Sequence, residues 1–381
     1  MIYFDNAATS FPKPEAVIKA VETAMRTCGN PGRGSHRLAM RGSEILYECR
    51  REAADHFGAE SAEKVVFTWN ATSALNPAIK GLARPGDHIL ISDLEHNAVL
   101  RPVQKLADEG KITYDIFPSF ATDPGRTAEK ICRAVEEKIT PRTRLLICTH
   151  ASNICSAVMP IKELGALCKK HRIKLIVDGS QSAGHLPISM RDMKIDALCL
   201  PGHKGLLGPQ GSGLLIWGKD IFADTLLEGG SGTRSLEPFM PTESPERYEA
   251  GTIATPAVAG LLAGIREVRR RGTSAIAREE NRLSQLLQNA LTEMPEVKLE
   301  VPHLRGPILL LNAKGIPSDV LAGKLDAQGV CTRAGYHCAG LAHKTLGTPD
   351  GGAVRVSFGA DNTEEEVAAF VRTLSEILRK S

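Results

Sequence analysis

Short apolar runs alternate with longer stretches of helical period along the first part of the chain. The runs lie at 64–68, 88–92, 145–149, 174–177, 197–200 and 213–217, and most are nearly continuous Val, Ile and Leu. Strands of that composition are buried on both faces, as in a parallel sheet covered by helices. The helical stretches between them span 72–82, 97–109, 128–138 and 161–171. This alternation predicts an α/β unit built on a mostly parallel sheet. After Thr255-Pro256 the texture changes. Two long helical patterns, 257–271 and 274–294, precede a strand at 302–312, a helix at 317–328, a strand at 353–358 and a final helix at 363–379. Thr363 and Glu366 have the spacing of a capping box at the start of that last helix. We therefore expect a larger unit over 15–253 and a smaller α+β unit formed by 1–14 and 254–381.

The length of 381 residues agrees with two packed units, and 42% hydrophobic with 24% charged residues is ordinary for a globular protein. A net charge of +3 gives no pull toward nucleic acid or an anionic membrane. The run Arg269-Arg270-Arg271 sits at a predicted helix end, where cations suit the helix dipole, and reads as a solvated face. The first residues show no signal-peptide pattern, and no stretch is apolar for the ~18 residues a membrane span needs. Nine cysteines at irregular spacing, with no Cys-x-x-Cys pair, point to reduced thiols and a cytoplasmic protein.

Candidate chemistry gathers at predicted strand ends. Asp178 closes the buried run Ile173–Val177, and a carboxylate there faces the crevice in which such sheets bind ligands; alone it reads more readily as a helix-cap or turn carboxylate. Lys204 follows 26 residues later in Leu-Pro-Gly-His-Lys-Gly-Leu-Leu-Gly-Pro, a setting that partly desolvates its amine and makes it nucleophilic. Most lysines are solvated surface groups; the pairing with Asp178 argues otherwise here. Pyridoxal chemistry needs a lysine for a Schiff base and an acid that keeps the pyridine nitrogen protonated. Upstream, Thr68-Trp69-Asn70-Ala71-Thr72-Ser73 joins a strand to a helix whose N-terminus suits a phosphate, although an ordinary N-cap looks the same. His96 follows another strand end, where an imidazole can lie on the ring and move protons.

These residues, together with Asp5-Asn6-Ala7-Ala8, Gly202-His203-Lys204 and Arg333-Ala-Gly-Tyr-His-Cys-Ala339, resemble the class V aminotransferase family. Within it the chain is similar to SufS-type cysteine desulfurases. The resemblance covers nearly the whole chain. It implies the fold type I architecture of pyridoxal phosphate enzymes, with a large, mostly parallel seven-stranded sheet domain and a smaller α+β domain, and a homodimer with active sites at the subunit interface. It further implies that Lys204 carries the cofactor, Asp178 pairs with the pyridine nitrogen, Gln181 contacts the ring hydroxyl and His96 stacks on the ring. Thr72 and His203 would contact the phosphate, and Thr252 would reach it from the partner subunit. Asn153, Arg355 and Arg333 would hold the substrate carboxylate, a role for which the guanidinium fork is suited. Two positions depart from the pattern. Ala71 stands where many relatives have a hydroxyl residue at the phosphate, and Pro201 where many have serine.

Cys338 separates the reactions open to such an enzyme. A transaminase needs no thiol there, whereas a desulfurase needs a nucleophile to take sulfur from the substrate. The surrounding Gly, Ala and His read as a loop, and Arg333 and His337 are near enough in sequence to favour the thiolate. A buried inert cysteine is the common alternative. Metal ligation by His337, Cys338 and His343 is a further one, although the spacing is not a zinc pattern. The 17 positions from Cys338 to Arg355 resemble the SufS-type group, whose short catalytic loop goes with a sulfur-acceptor protein. The expected reaction takes L-cysteine to L-alanine and leaves a persulfide on Cys338, with Lys204 and His96 moving protons. Rival readings are a selenocysteine lyase acting on L-selenocysteine, another class V aminotransferase, and a non-catalytic sulfur-relay or scaffold protein.

Overall fold

A computed structural model describes residues 1–32 and 34–380. In chain order the elements of the larger part are β1 (Ile2–Tyr3), α1 (Glu15–Thr27), α2 (Arg37–Phe57), β2 (Val65–Thr68), α3 (Ala71–Leu82), β3 (Asp87–Ser92), α4 (Asn97–Asp108), β4 (Ile112–Phe117), α5 (Ala128–Glu136), β5 (Thr143–Thr149), α6 (Ile161–His171), β6 (Lys174–Asp178), β7 (Ala197–Pro201) and β8 (Gly213–Trp217). They are followed by α7 (Thr255–Arg271), α8 (Thr273–Thr292), β9 (Val297–Leu299), β10 (Ile308–Ala313), α9 (Ser318–Asp326), β11 (Val330–Cys331), α10 (Gly340–Thr345), β12 (Val354–Ser357) and α11 (Glu364–Arg379).

Seven strands form one sheet in the order β2-β8-β7-β6-β5-β3-β4. Only β8 runs against its neighbours; the other contacts are parallel. Successive strand residues feed two separate cores. Leu90, Leu146, Val177, Leu198 and Leu214 face one, and Ile89, Ile147, Ile176, Cys199 and Leu215 face the other. This is why the strands read as unbroken apolar runs rather than as an alternation. The seventh strand, β4, lies at the sheet edge and alternates buried and exposed positions through Thr113 and Asp115, so it falls below the apolar signal of the others.

A third core holds Phe4, Leu283, Leu309, Leu311, Val354, Val356 and Phe370. Around it β12, β10 and β9 form an antiparallel sheet, and β1 pairs with β11. The expected capping box is present, with Thr363 and Glu366 exchanging side-chain and backbone hydrogen bonds. The strand expected at 302–312 begins only at Ile308, because 302–307 turns through Gly306 at φ 156°. Helix α7 buries Val258, Leu261, Leu262 and Ile265 in the core of the large sheet. Residues 254–271, expected with the smaller unit, thus pack against the larger one, beside α1 and α2. At the end of α7 the three arginines are ion-paired, Arg269 with Glu52, Arg270 with Glu267, and Arg271 with Glu267 and Asp361. None of the described helices is long and apolar enough to cross a membrane.

Candidate active site

The carboxyl ends of β2, β3, β5, β6 and β7 open on one cavity of about 320 Å³. Open α/β sheets bind ligands there because the loops leaving parallel strands diverge. Its lining includes all but one of the site residues expected from sequence: Ala71, Thr72, His96, Asn153, Asp178, Gln181, His203, Lys204, Arg333, Cys338 and Arg355. Thr252 is the exception. It borders a separate hollow beside Trp69, Leu227 and Tyr248.

Lys204 leaves β7 through a tight turn that only glycine permits on either side. A Cβ on Gly202 would lie 2.1 Å from Ser212 Oγ, and one on Gly205 would lie 2.2 Å from the Ala183 carbonyl. Burial lowers the Lys204 amine to about 8, against the pull of Asp178 toward the charged form. Asp178 is itself buried, and its Oδ1 accepts from the Ser180 backbone N–H and hydroxyl. Gln181 donates its amide N–H to the Ala7 carbonyl at 2.9 Å, which leaves its oxygen as the free end. Burial holds His203 at about 4, so its ring is neutral, and its buried Nδ1 has no partner among the described residues.

At the start of α3, Asn70 Oδ1 accepts from the Ser73 N–H at 2.9 Å, and Ser73 Oγ accepts from the Asn70 N–H at 2.9 Å. The capping box fixes the helix end, whose first N–H groups and dipole favour an anion. Thr72 adds an exposed hydroxyl; Ala71 offers its backbone N–H alone.

His96 caps α4, with Nδ1 accepting from the Ala98 N–H at 3.0 Å. Burial lowers its pKa. The cap occupies the Nδ1 lone pair, so the neutral ring carries its proton on Nε2. Behind it, Glu95 is fully buried and burial raises it to about 8. Its Oε1 accepts from Ser92 Oγ at 2.5 Å and from the Thr149 N–H at 2.7 Å, tying the ends of β3 and β5 together. Sequence reasoning passed over Glu95, although its place beside His96 was a signal.

Arg355 is buried, and its guanidinium donates to the Asn153 carbonyl at 2.9 Å and to Asp5 Oδ1 at 2.8 Å, while Nε has no partner among the described residues. Arg333, half exposed, pairs with the other oxygen of Asp5 at 2.9 Å. One carboxylate from the N-terminal segment thus holds both arginines, a role that sequence reasoning did not give Asp5. Removing one partner of a buried pair leaves a charge without compensation. Asp5→Ala is expected to cost about 3 kcal/mol of stability, read as a lower urea midpoint with an unchanged slope.

Cys338 is the exposed cysteine of the nine, whereas burial raises the thiols of Cys49, Cys148, Cys155, Cys168 and Cys199. The loop carries two consecutive left-handed residues, His337 at φ 51° and Cys338 at φ 54°. It is tied to the large sheet by the Asn97 N–H, which donates to the Cys338 carbonyl at 2.8 Å, and by the Asn153 amide, which donates to the His337 carbonyl at 2.8 Å. Asn153 therefore spends one of its two amide protons on the loop. The expectation that His337 favours the thiolate needs correction. Burial takes His337 down to about 3, so its ring brings no charge, and Arg333 is left as the neighbouring cation. Among the described residues no group of three or more His, Cys, Asp or Glu side chains is arranged to hold a metal.

The family model for class V aminotransferases matches residues 2–370. The chain is 34% identical to a probable cysteine desulfurase of Pyrococcus abyssi, over 100% of this chain and 94% of the relative. It is 30% identical to the cysteine desulfurase of Pectobacterium atrosepticum, over 100% and 93%. Among solved structures it is similar to the apo cysteine desulfurase of Thermococcus onnurineus, with a TM-score of 0.89, 31% identity and coverage of 100% and 95%. It is likewise similar to the cysteine desulfurase CsdA of Escherichia coli, with a TM-score of 0.89, 26% identity and coverage of 99% and 94%. A match over nearly the full length, on a sheet whose strand ends gather a buried lysine, a buried aspartate and paired arginines, shows that the chain belongs to the class V aminotransferase family.

Proposed function

We propose that this protein is a pyridoxal phosphate-dependent cysteine desulfurase of the SufS type, converting L-cysteine to L-alanine and leaving the sulfur as a persulfide on Cys338. The observation that carries the reading is the meeting, in one cavity, of the desolvated Lys204 amine and the exposed Cys338 thiol. The names of the relatives support it.

The residues present fit the cofactor. The unpartnered Nδ1 of His203, the α3 N-terminus and Thr72 offer donors for a phosphate, and Asp178 offers a buried carboxylate for a protonated ring nitrogen. When bound, pyridoxal phosphate supplies an aldehyde for an amine and a ring that absorbs the charge left by a departing Cα proton. Lys204 Nζ takes that proton and returns it. The Asp178 carboxylate keeps the ring nitrogen protonated, and the free oxygen of Gln181 accepts from the ring hydroxyl. Arg355 presents its unpartnered Nε–H to the substrate carboxylate, with Arg333 and the second amide proton of Asn153 beside it. His96 offers the Nε2–H as a hydrogen-bond donor, and must release its cap on Ala98 before its ring takes up a proton.

Cys338 Sγ attacks the substrate sulfur. An S–S bond forms and the Cβ–S bond breaks; the bonding pair stays with carbon and is protonated, so cysteine and one thiol give alanine and one persulfide. A second thiol, on an acceptor protein, then collects the outer sulfur. Purified protein given the cofactor, L-cysteine and a thiol reductant should release alanine and sulfide in equal amounts. Release of alanine only when a keto acid is added would replace this reading with an aminotransferase.

The functional unit is a homodimer. Trp69 (61% exposed), Leu226 (42%) and Leu227 (55%) line the hollow that Thr252 borders, and exposed apolar side chains gathered in this way mark a contact surface. A second copy seated there brings its Thr252 toward the phosphate site at α3. Sedimentation should give twice 41.0 kDa; a monomer at micromolar concentration would remove this part of the reading.

A further inference from the structure

Behind Cys338 lies a chain of side chains that the reaction above does not use. His337 Nε2 is 3.1 Å from the Arg333 carbonyl, and His337 Nδ1 is 3.2 Å from His343 Nε2. His343 Nδ1 is 2.8 Å from Thr348 Oγ1. The two rings are stacked at 15° with centroids 5.4 Å apart, and His343 is fully buried. The direction of each hydrogen bond follows once both rings are neutral, the form that burial favours. A carbonyl only accepts, so His337 must carry its proton on Nε2. Its Nδ1 is then an acceptor, which places the His343 proton on Nε2, and His343 Nδ1 must accept from the Thr348 hydroxyl. Both rings are neutral and every ring nitrogen is used. The sequence alternative of a metal held by His337, Cys338 and His343 fails for the same reason, since neither ring has a free lone pair.

We propose that His343 and Thr348 are positioning residues for the sulfur-accepting step, and that they hold Cys338 in place through His337. The loop needs such support. Two consecutive non-glycine residues in the left-handed region are strained and persist only where surrounding contacts impose them. With the relay in place, both the ring and the carbonyl of His337 are anchored, so the residue preceding the thiol cannot swing. The relay supplies fixed geometry and no charge. His343 lies on α10 and Thr348 just beyond it, five and ten positions past Cys338.

The inference rests on the desulfurase reading, and two measurements keep the failure of either apart. First, imidazole nitrogen NMR of the cofactor-loaded, histidine-labelled protein should show the His337 and His343 rings neutral, each protonated on Nε2, from pH 6 to 8, with the His343 signal assigned by its loss in His343→Leu. A charged ring, or a proton on His343 Nδ1, overturns the relay whatever the protein catalyses. Second, His343→Leu should lower kcat for alanine release from cysteine roughly tenfold to a hundredfold, the cost of misplacing a reacting group by about 1 Å, with KM and the cofactor spectrum little changed. His343→Gln, which can place an amide N–H near the old Nε2, should restore most of the loss. A folded His343→Leu protein with the parent kcat, or a loss that glutamine does not relieve, overturns the positioning role. If the leucine variant does not fold, Thr348→Val against Thr348→Ser decides it by the same kcat and KM split. A parent protein that makes no alanine from cysteine ends the desulfurase reading and leaves the NMR result standing.

Discussion

Lys204→Ala is expected to abolish alanine formation from cysteine, with a loss of at least about 10³-fold. The amine is the nucleophile that captures the cofactor and the base that moves the Cα proton, and among the described residues no other lysine lines the cavity. Its environment makes the effect large. A surface lysine is almost fully charged at neutral pH, whereas burial brings Lys204 to about 8, so about a tenth of it is free amine at pH 7. The pH dependence follows. In the cofactor-free protein the rate of pyridoxal phosphate capture should rise about tenfold per unit below pH 8 and level off above it, because only the neutral amine attacks. Stopped-flow absorbance of cofactor binding measures this directly. The stability sign is consistent with it. The folded-state pKa lies below the ordinary lysine value, so between the two the unfolded chain binds more protons, and the cofactor-free protein gains stability as pH rises through that window. A Lys204→Ala protein that still makes alanine at even a tenth of the parent rate removes the lysine from the chemistry.

Cys338→Ala should leave cofactor binding and the Lys204 titration unchanged while lowering cysteine desulfuration by at least about 10²-fold. The other eight cysteines do not substitute for it; they are buried or half-buried and none lines the cavity. The comparison with selenocysteine adds a second readout. Selenide leaves more easily than sulfide, so a selenocysteine reaction that survives in the variant while the cysteine reaction vanishes assigns the thiol to sulfur capture. Cysteine turnover at the parent rate in Cys338→Ala would sink the nucleophile assignment. Mass spectrometry of the parent after one turnover should find the added sulfur on the peptide that contains Cys338.

Much of this was legible without coordinates, and the reasons are local. Strands β5, β6, β7 and β8 announce themselves because both faces are buried, so each holds an unbroken apolar run, such as Leu145–Cys148 in β5 and Leu175–Val177 in β6. Asp178 and Lys204 stand out because they break that apolar pattern at strand ends. The pattern singles out no element in the first 63 residues, yet α1 and α2 lie there. Helix α1 buries only Val17 and Ala24, and half of the buried positions of α2 are the small residues Ala39, Gly42, Ala53 and Ala54, which carry little hydrophobic signal beside Leu46 and Phe57.

The sequence by itself determined the sheet, the lysine and aspartate pair, the motif around Cys338 and the family, because each depends on neighbours along the chain or on a motif of fixed spacing. Only the tertiary structure decided the rest. Asp5 clamps Arg355 across 350 positions, Asn153 grips the Cys338 loop across 184, and α7 joins the large core rather than the small one. The ring of His337 is near Cys338 in both descriptions. Whether it is a charged helper or a neutral strut depends on its burial and on His343, Thr348 and the Arg333 carbonyl closing around it, and these are contacts in space that no spacing along the chain encodes.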